Sequence, residues 1–226
     1  VMSVIRPGRD AHRVVAMADS RTYGLNLNAG QTVQPQPFSL VGDGAGSIFK
    51  IFTTAAALEL GMGINAQLDV PQTFRGTGLG SSTEPGCLQK SYAEPGTARA
   101  YDPGTNESIA EFVKRQNLGS FTLGPLELNA LELSNVAATL ASGGMWCPPS
   151  PIQSIIDRRG NEVALPTAEC EQVVPQGLAN TLTTALAKDT TMGTGAAAAG
   201  SVGWGLPMAG KTGTTESHRS SAFLGY

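Results

Sequence analysis

Hydrophobic positions along the 226 residues fall into short runs separated by long polar stretches. Val1 to Arg6 and His12 to Asp19 are apolar runs on either side of Pro7-Gly8-Arg9-Asp10, which predicts a β-hairpin. Thr22 to Gly42 is polar and punctuated by Gly and Pro, so it reads as loop. Ser47 to Leu60 reads as a helix closed by Gly61. Its stretch from Ile51 to Leu58 carries no charge and includes Ala55-Ala56-Ala57, and a helix apolar all round is a buried helix. Asp69 to Gly104 is rich in Gly, Pro, Ser and Thr and almost without period, an unusual length of featureless chain for a compact domain. Asn106 to Gln116 reads as a polar helix with Asn106 as N-cap. Leu126 to Ala141 has apolar residues at helical spacing and ends at Gly143-Gly144. A second hairpin follows, with strands Ile152 to Asp157 and Asn161 to Leu165 turning at Arg159-Gly160. Pro175 to Lys188 reads as a helix opened by its proline, and Thr190 to Gly205 as a Gly/Ala loop. Leu206 to Thr215 and Ser220 to Tyr226 read as two adjacent strands.

The order of strands, then helices, then strands predicts an α+β fold. Its sheet is mainly antiparallel, with opening and closing strands drawn from opposite ends of the chain. Composition agrees with a globular chain: 41% hydrophobic and 15% charged residues leave ample apolar surface to bury. The net charge of -3, with no run of Lys or Arg, excludes the electrostatic footprint of a nucleic-acid binder. Two long uncharged stretches, Leu133 to Ile156 and Thr190 to Gly210, do not read as membrane spans. The first is broken by Gly143, Gly144, Pro148, Pro149 and Pro151, and the second is mostly Gly, Ala and Thr. No secretory signal or initiator Met stands at Val1, so the expectation is a piece of a longer protein.

The three cysteines, Cys87, Cys147 and Cys170, match no zinc-ligand spacing, and nothing calls for a metal or cofactor. Cys147 and Cys170 flank the second hairpin nearly in its register. A disulfide between them is the expectation, worth about 3 kcal/mol in the chain-entropy treatment and implying an oxidising compartment; two buried thiols are the alternative. Cys87 is then left over.

Two motifs carry candidate chemistry. In Ser47-Ile48-Phe49-Lys50 the spacing places both functional side chains on one helical face, where a lysine can take the proton of a serine nucleophile. Ser47 would lie at the positive end of the helix dipole after Gly44-Ala45-Gly46, and burial there would favour a neutral Lys50 as base. By itself the pair reads as an N-cap and a surface lysine. The second motif, Lys211-Thr212-Gly213-Thr214, falls on a strand whose edge can pair with an extended peptide. Lys211 supplies positive charge, Thr212 and Thr214 offer hydroxyls to a carboxylate, and Gly213 allows close approach of the substrate backbone. K-T-G alone reads equally as a solvated edge. A serine at a buried helix followed far downstream by K-T-G-T and a further strand is a specific order.

Four segments carry a family resemblance: Gly44-Ala45-Gly46-Ser47-Ile48-Phe49-Lys50-Ile51-Phe52-Thr53, Leu123-Gly124-Pro125-Leu126-Glu127-Leu128, Leu140-Ala141-Ser142-Gly143-Gly144 and Gly210-Lys211-Thr212-Gly213-Thr214-Thr215. Together they resemble the transpeptidase domain of bifunctional (class A) penicillin-binding proteins, especially the actinobacterial kind. The resemblance runs from Val1 to Tyr226 and is read as one transpeptidase domain. It implies a five-stranded sheet flanked by helices, with a buried central helix starting at the serine. It also implies D,D-transpeptidation through a Ser47 acyl-enzyme, acylation by β-lactams, catalytic roles for Ser47, Lys50 and Lys211, substrate contacts from Thr212, Gly213 and Thr214, and an oxyanion hole from the N–H groups of Ser47 and Thr214. The implied partners are a peptidoglycan stem peptide and β-lactams. The implied location is the extracytoplasmic face of the bacterial membrane, through an anchor and an N-terminal glycosyltransferase domain outside this chain. A D,D-carboxypeptidase, a β-lactamase, or a non-catalytic sensor of the same fold are the alternatives.

The family's middle motif, S-x-N, does not occur in the sequence: Ser134-Asn135 lacks the spacer and Asn106-Glu107-Ser108 runs backwards. The expectation is that a stretch bearing it is missing near Gly86-Cys87-Leu88, and that the chain is cut short at Tyr226. His12 and His218 are the only histidines, too far apart in sequence to suggest a triad. His218 and Arg219 read as turn residues and Trp204 as core.

Overall fold

The structure, a computed structural model, describes residues 1–39, 44–73, 111, 114–115, 117–126, 128–165, 169–215 and 218–226. In chain order the strands are β1 (Met2–Arg6), β2 (His12–Ala18), β3 (Met145–Trp146), β4 (Pro149–Ser150), β5 (Ile155–Ile156), β6 (Glu162–Val163), β7 (Glu171–Gln172), β8 (Gly210–Thr214) and β9 (Ser221–Gly225). The helices are α1 (Lys50–Glu59), α2 (Ala130–Ala141), α3 (Gln176–Leu186), α4 (Asp189–Met192) and α5 (Ala196–Ser201). The class is α+β. The chain divides into two compact units: Val1–Ser39 with Asn129–Thr184 and Gly225–Tyr226, and Leu40–Leu128 with Ala185–Leu224.

In the first unit, β1 and β2 form the expected antiparallel hairpin. Its register shifts between Val4 and Ile5, where Val15 is the extra residue of a bulge. Helix α2 packs on β1 and buries Ala137, Ala138 and Leu140. It starts later than the apolar pattern from Leu126 predicts, because Asn129 stops the extended chain with a capping box. The Asn129 side chain accepts from the Glu132 N–H at 2.8 Å, and the Glu132 carboxylate accepts from the Asn129 N–H at 3.0 Å. His12 is fully buried under this helix, with its ring nitrogens 2.7 Å from Asn135 Oδ1 and 3.2 Å from Ser142 Oγ. That pairing supplies the partners a buried imidazole needs.

The second hairpin is shorter than predicted. Only Ile155–Ile156 and Glu162–Val163 pair, and the turn is held by Asp157, whose carboxylate accepts from the N–H groups of Arg159 at 2.7 Å and Asn161 at 2.9 Å. These bonds hold the Asp157 carboxyl below its ordinary pKa. Outside it, β3 pairs antiparallel with β7, Trp146 opposite Glu171. Cys147 and Cys170 stand one step further along that register and form a disulfide, with a Cα–Cα distance of 4.3 Å.

The single five-stranded antiparallel sheet is a correction. The described strands form one three-stranded sheet in the order β1-β2-β4 and three two-stranded pairs. The β2–β4 pairing is parallel and covers two residues. Pro148, Pro149 and Pro151 explain the stop, since a proline has no N–H to donate to a ladder. Strands β8 and β9 pair with each other in the second unit.

The second unit holds a 3-10 turn over Gly46–Phe49, then α1, a further 3-10 turn over Gly119–Leu123, α4, α5, β8 and β9. The apolar α1 is not buried all round, a second correction. Ile51 is the buried residue of the helix, the rest are half-buried or exposed, and Leu60, just past its end, is 89% exposed. The described neighbours of α1 are the two 3-10 turns at its N-terminal end, where Phe49 meets Phe52 and Phe121 edge-on at ring separations of 5.2 and 5.4 Å. The Thr190 to Gly205 segment also departs from expectation, because α4 and α5 occupy most of it. Ala196 to Ala199 are strong helix formers, and the Gly193 N–H returns to the Asp189 carbonyl at 3.1 Å to close α4. Trp204 is 45% exposed rather than core, its indole N–H donating to the Leu206 carbonyl at 2.9 Å. His218 takes a left-handed turn conformation (φ 57°) between β8 and β9. In the expected helix from Asn106 to Gln116, Glu111, Lys114 and Arg115 are helical, while Asn106 and the Gly86-Cys87-Leu88 segment lie outside the described residues. Among the described residues no helix is long and apolar enough to cross a membrane.

Candidate active site

The residues singled out by sequence converge in the second unit. Ser47 is the second residue of the 3-10 turn, and the α-helix proper begins at Lys50. This differs from a helix starting at the serine and brings the pair closer in angle. A 3-10 turn repeats every three residues, which brings positions i and i+3 to the same side of the turn. The Lys50 N–H returns to the Ser47 carbonyl and locks that turn. Ser47 is half-buried while Lys50 is exposed, so the burial expected to discharge Lys50 is not provided.

The turn is held by main chain rather than side chains. A Cβ placed on Gly46 would come within 2.5 Å of the Thr214 carbonyl oxygen and 2.8 Å of the Thr214 nitrogen. One on Gly213 would meet the Ala45 carbonyl oxygen at 2.0 Å, and one on Gly124 the Gly46 carbonyl oxygen at 2.2 Å. No real Cβ survives such distances, so three segments far apart in sequence meet backbone to backbone because each contributes a glycine. The closeness that Gly213 permits is thus with the nucleophile turn itself. Gly46 also needs its φ of 60°, which a side chain disfavours. Away from this contact, the Thr53 hydroxyl donates to Thr122 at 2.9 Å and ties α1 to the turn over Gly119–Leu123.

Lys211 and Gly213 lie on one face of β8, and Thr212 and Thr214 on the other. The Lys211 ammonium donates to the Thr212 carbonyl at 2.9 Å. Burial pushes its pKa below the ordinary lysine value; the Asp189 carboxylate acts upward and the Lys50 charge downward. The two lysines of the candidate site are therefore electrostatic neighbours. Thr212 is hydrogen-bonded through its hydroxyl to Thr194, whose own hydroxyl lies 3.1 Å from Asp189 Oδ1. The other oxygen of Asp189 is buried and has no hydrogen-bond partner. Asp189 went unread in the sequence because one acid beside a Gly/Ala stretch marks no motif.

The turn that carries Ser47 is packed by backbone against the Lys211–Thr214 strand, and comparison with known proteins gives the family. Residues 96–222 match the family model of the penicillin binding protein transpeptidase domain, more than half of the chain. The chain belongs to the penicillin-binding protein transpeptidase family. That match contains Lys211 to Thr214 but not Ser47. Penicillin-binding protein 1A of Mycolicibacterium smegmatis is 26% identical over 256 residues, covering 96% of this chain and 32% of the relative. Penicillin-binding protein 1A of Mycobacterium tuberculosis is 26% identical, covering 79% of this chain and 26% of the relative. This transpeptidase-family chain therefore spans about a third or less of the length of these curated relatives. Among solved structures, penicillin-binding protein A of M. tuberculosis, as an imipenem acyl-enzyme, matches with a TM-score of 0.68 at 18% identity, over 100% of this chain and 65% of that one. Penicillin-binding protein PonA1 of M. tuberculosis matches with a TM-score of 0.59 at 24% identity, over 90% of this chain and 60% of that one. These likenesses establish the penicillin-binding transpeptidase fold.

Proposed function

We propose that this domain is a D,D-transpeptidase that cross-links peptidoglycan stem peptides through an acyl-enzyme on Ser47. The observation that carries the reading is the backbone contact of Gly46, the residue before Ser47, with Thr214; in this reading the N–H groups of Ser47 and Thr214 serve one oxyanion. Two such donors make an oxyanion hole, and removal of one typically costs about 3 kcal/mol of barrier stabilisation.

In this mechanism Ser47 Oγ attacks the carbonyl carbon of the penultimate D-Ala as its proton passes to Lys50 Nζ. The N–H groups of Ser47 and Thr214 hold the resulting oxyanion. The C–N bond then breaks, and the departing D-Ala amine carries off a proton returned from Lys50. An amine of a neighbouring stem peptide attacks the ester, forms the new amide and frees Ser47. Thr212 and Thr214, on one face of the strand, offer their side chains to the substrate's terminal carboxylate, Lys211 supplies positive charge, and Gly213 belongs to the strand that pairs with the substrate. A β-lactam enters by the same attack, its ring opening in place of the D-Ala bond. The resemblance to an acyl-enzyme structure of the same fold supports this.

The wider reading belongs to the same proposal. The 226 residues form one transpeptidase domain of a longer, membrane-anchored, extracytoplasmic protein with an N-terminal glycosyltransferase. A segment bearing S-x-N is missing near residues 86–88. Supporting that omission, the alignment with the M. smegmatis relative runs over 256 positions, more than the 226 residues of the chain, so the relative holds positions this chain lacks. The absent S-x-N keeps one rival, a non-catalytic sensor of the same fold.

The test is covalent labelling with a fluorescent penicillin. The wild type acquires one adduct, and Ser47→Ala acquires none. Absence of label on the wild type rejects the acyl-enzyme, and label surviving in Ser47→Ala rejects Ser47 as nucleophile.

A further inference from the structure

Asp189 opens the four-residue helix α4 and is only 9% exposed, yet it does not cap that helix: no backbone N–H donates to its carboxylate among the described hydrogen bonds. One oxygen receives the Thr194 hydroxyl and the other has no partner. A buried carboxylate left half unsatisfied is strongly disfavoured unless an opposite charge stands near. The cation that stands near is Lys211, with which Asp189 lines an open cavity of about 210 Å³ together with Lys188 and Met192.

The chain makes room for this carboxylate at two places. A Cβ on Gly193 would lie 2.6 Å from both Asp189 Cα and Oδ1, and one on Gly195 would lie 2.7 Å from Oδ2. Neither glycine has a positive φ, at -94° and -84°, so the backbone tolerates any residue there and only space demands glycine. The hydroxyl chain has a fixed sense as well. A carboxylate can only accept, so the Thr194 proton goes to Asp189. The Thr194 oxygen then accepts from Thr212, and Thr212 is left with its lone pairs alone for any further partner.

We propose that Asp189 is a positioning residue of the Lys211–Thr214 strand: its carboxylate holds the Thr194 hydroxyl against Thr212 and stands as the counter-charge to Lys211. The inference rests on the acyl-transfer reading of Lys211 and goes beyond it by assigning the strand its anchor. Among the described residues, two charged groups act on Lys211 and a third lies close by. Asp189 favours its protonated form, and Lys50, from α1, opposes it. Lys188, beside α4, shares the cavity. With Asp189 neutralised, Lys211 loses the carboxylate that favours its protonated form and gives up its proton at lower pH.

The experiment uses the whole chain with its lysines reductively methylated with 13C, so that Lys211, assigned by Lys211→Arg, is titrated directly. The pH dependence of labelling by fluorescent penicillin is measured in parallel. Asp189→Asn is expected to lower the Lys211 midpoint by about half a unit or more, and to move the basic limb of labelling the same way. Thr194→Val, which cuts the link to Thr212 but keeps the charge, leaves the midpoint in place. Should Asp189→Asn fail to fold, Gly195→Ala serves instead, its methyl displacing the carboxylate and lowering the midpoint. An unmoved midpoint in a folded Asp189→Asn or Gly195→Ala overturns the inference even where labelling is normal. A wild type that takes no label rejects the acyl-transfer reading instead, and the titration still decides the role of Asp189.

Discussion

Gly46 and Thr214 touch through their main chains, at a separation that leaves no room for a side chain on the glycine. The residue before Ser47 is thereby fixed against the strand expected to hold the substrate. Replacement of Gly46 by alanine adds a methyl where 2.5 Å remain, at a φ of 60° that alanine disfavours. The Thr214 N–H is then pushed off the oxyanion. Penicillin labelling of Gly46→Ala is expected to slow by a factor of about 100 or more. Rates measured on protein shown folded by its thermal transition check this.

Lys211 supplies a pH prediction. Burial depresses its pKa, so it loses its proton below the ordinary lysine value of about 10.4. Labelling should fall on the basic side from that lower pH. Lys211→Arg, whose guanidinium keeps its charge, should carry the plateau further into base. The stability sign follows from the same depression. Between the folded and unfolded pKa values the unfolded chain binds the extra proton, so stability rises with pH through that window. Below it both states are charged and the contribution is flat. Denaturant midpoints of wild type and Lys211→Met across that range measure the effect.

The Cys147–Cys170 bridge closes a 23-residue separation, and its loss should lower unfolding stability by about 3 kcal/mol. Cys147 is 1% exposed, so reduction should require partial denaturation. Alkylation of the native protein should then spare Cys147 and Cys170, which react after denaturation and reduction. Mass spectrometry counts the adducts.

Asn129→Ala removes the cap of α2 and its contact to the Phe38 carbonyl at 3.4 Å. A loss of about 1 kcal/mol is expected, read as a lower urea midpoint at unchanged slope, with penicillin labelling of the folded variant unaltered.

What was legible in the sequence was local. The first hairpin, α2, α3 and the β8–β9 pair each rest on signals within about a dozen residues: a Pro-Gly turn, helical apolar spacing, an opening proline. Cys147 and Cys170 were legible because strand register propagates across a hairpin even where the strands shrink. The burial of α1 was not, since an uncharged run states what a helix could bury and not which neighbours reach it. The sheet order was not legible either, because Pro149 limits a pairing that involves residues more than a hundred positions apart. Within the candidate site, Ser47, Lys50 and Lys211 could be named from motif spacing. Asp189 could not, because its importance lies in crowding by Gly193 and Gly195 and in the hydroxyl of Thr194, none of which has a pattern of its own.

The contact among Gly46, Gly124, Gly213 and their neighbours also bears on how such a domain can evolve. Where a site is held by side chains, substitutions of graded size let it drift. Here the smallest substitution any of these codons can encode adds a whole methyl, so the turn has no near-neutral step available. Variation that retunes the site must enter from its surroundings, through positions such as Thr194 or Lys188. A saturation library selected for activity would show silent changes alone at these glycines, ringed by positions that tolerate many residues.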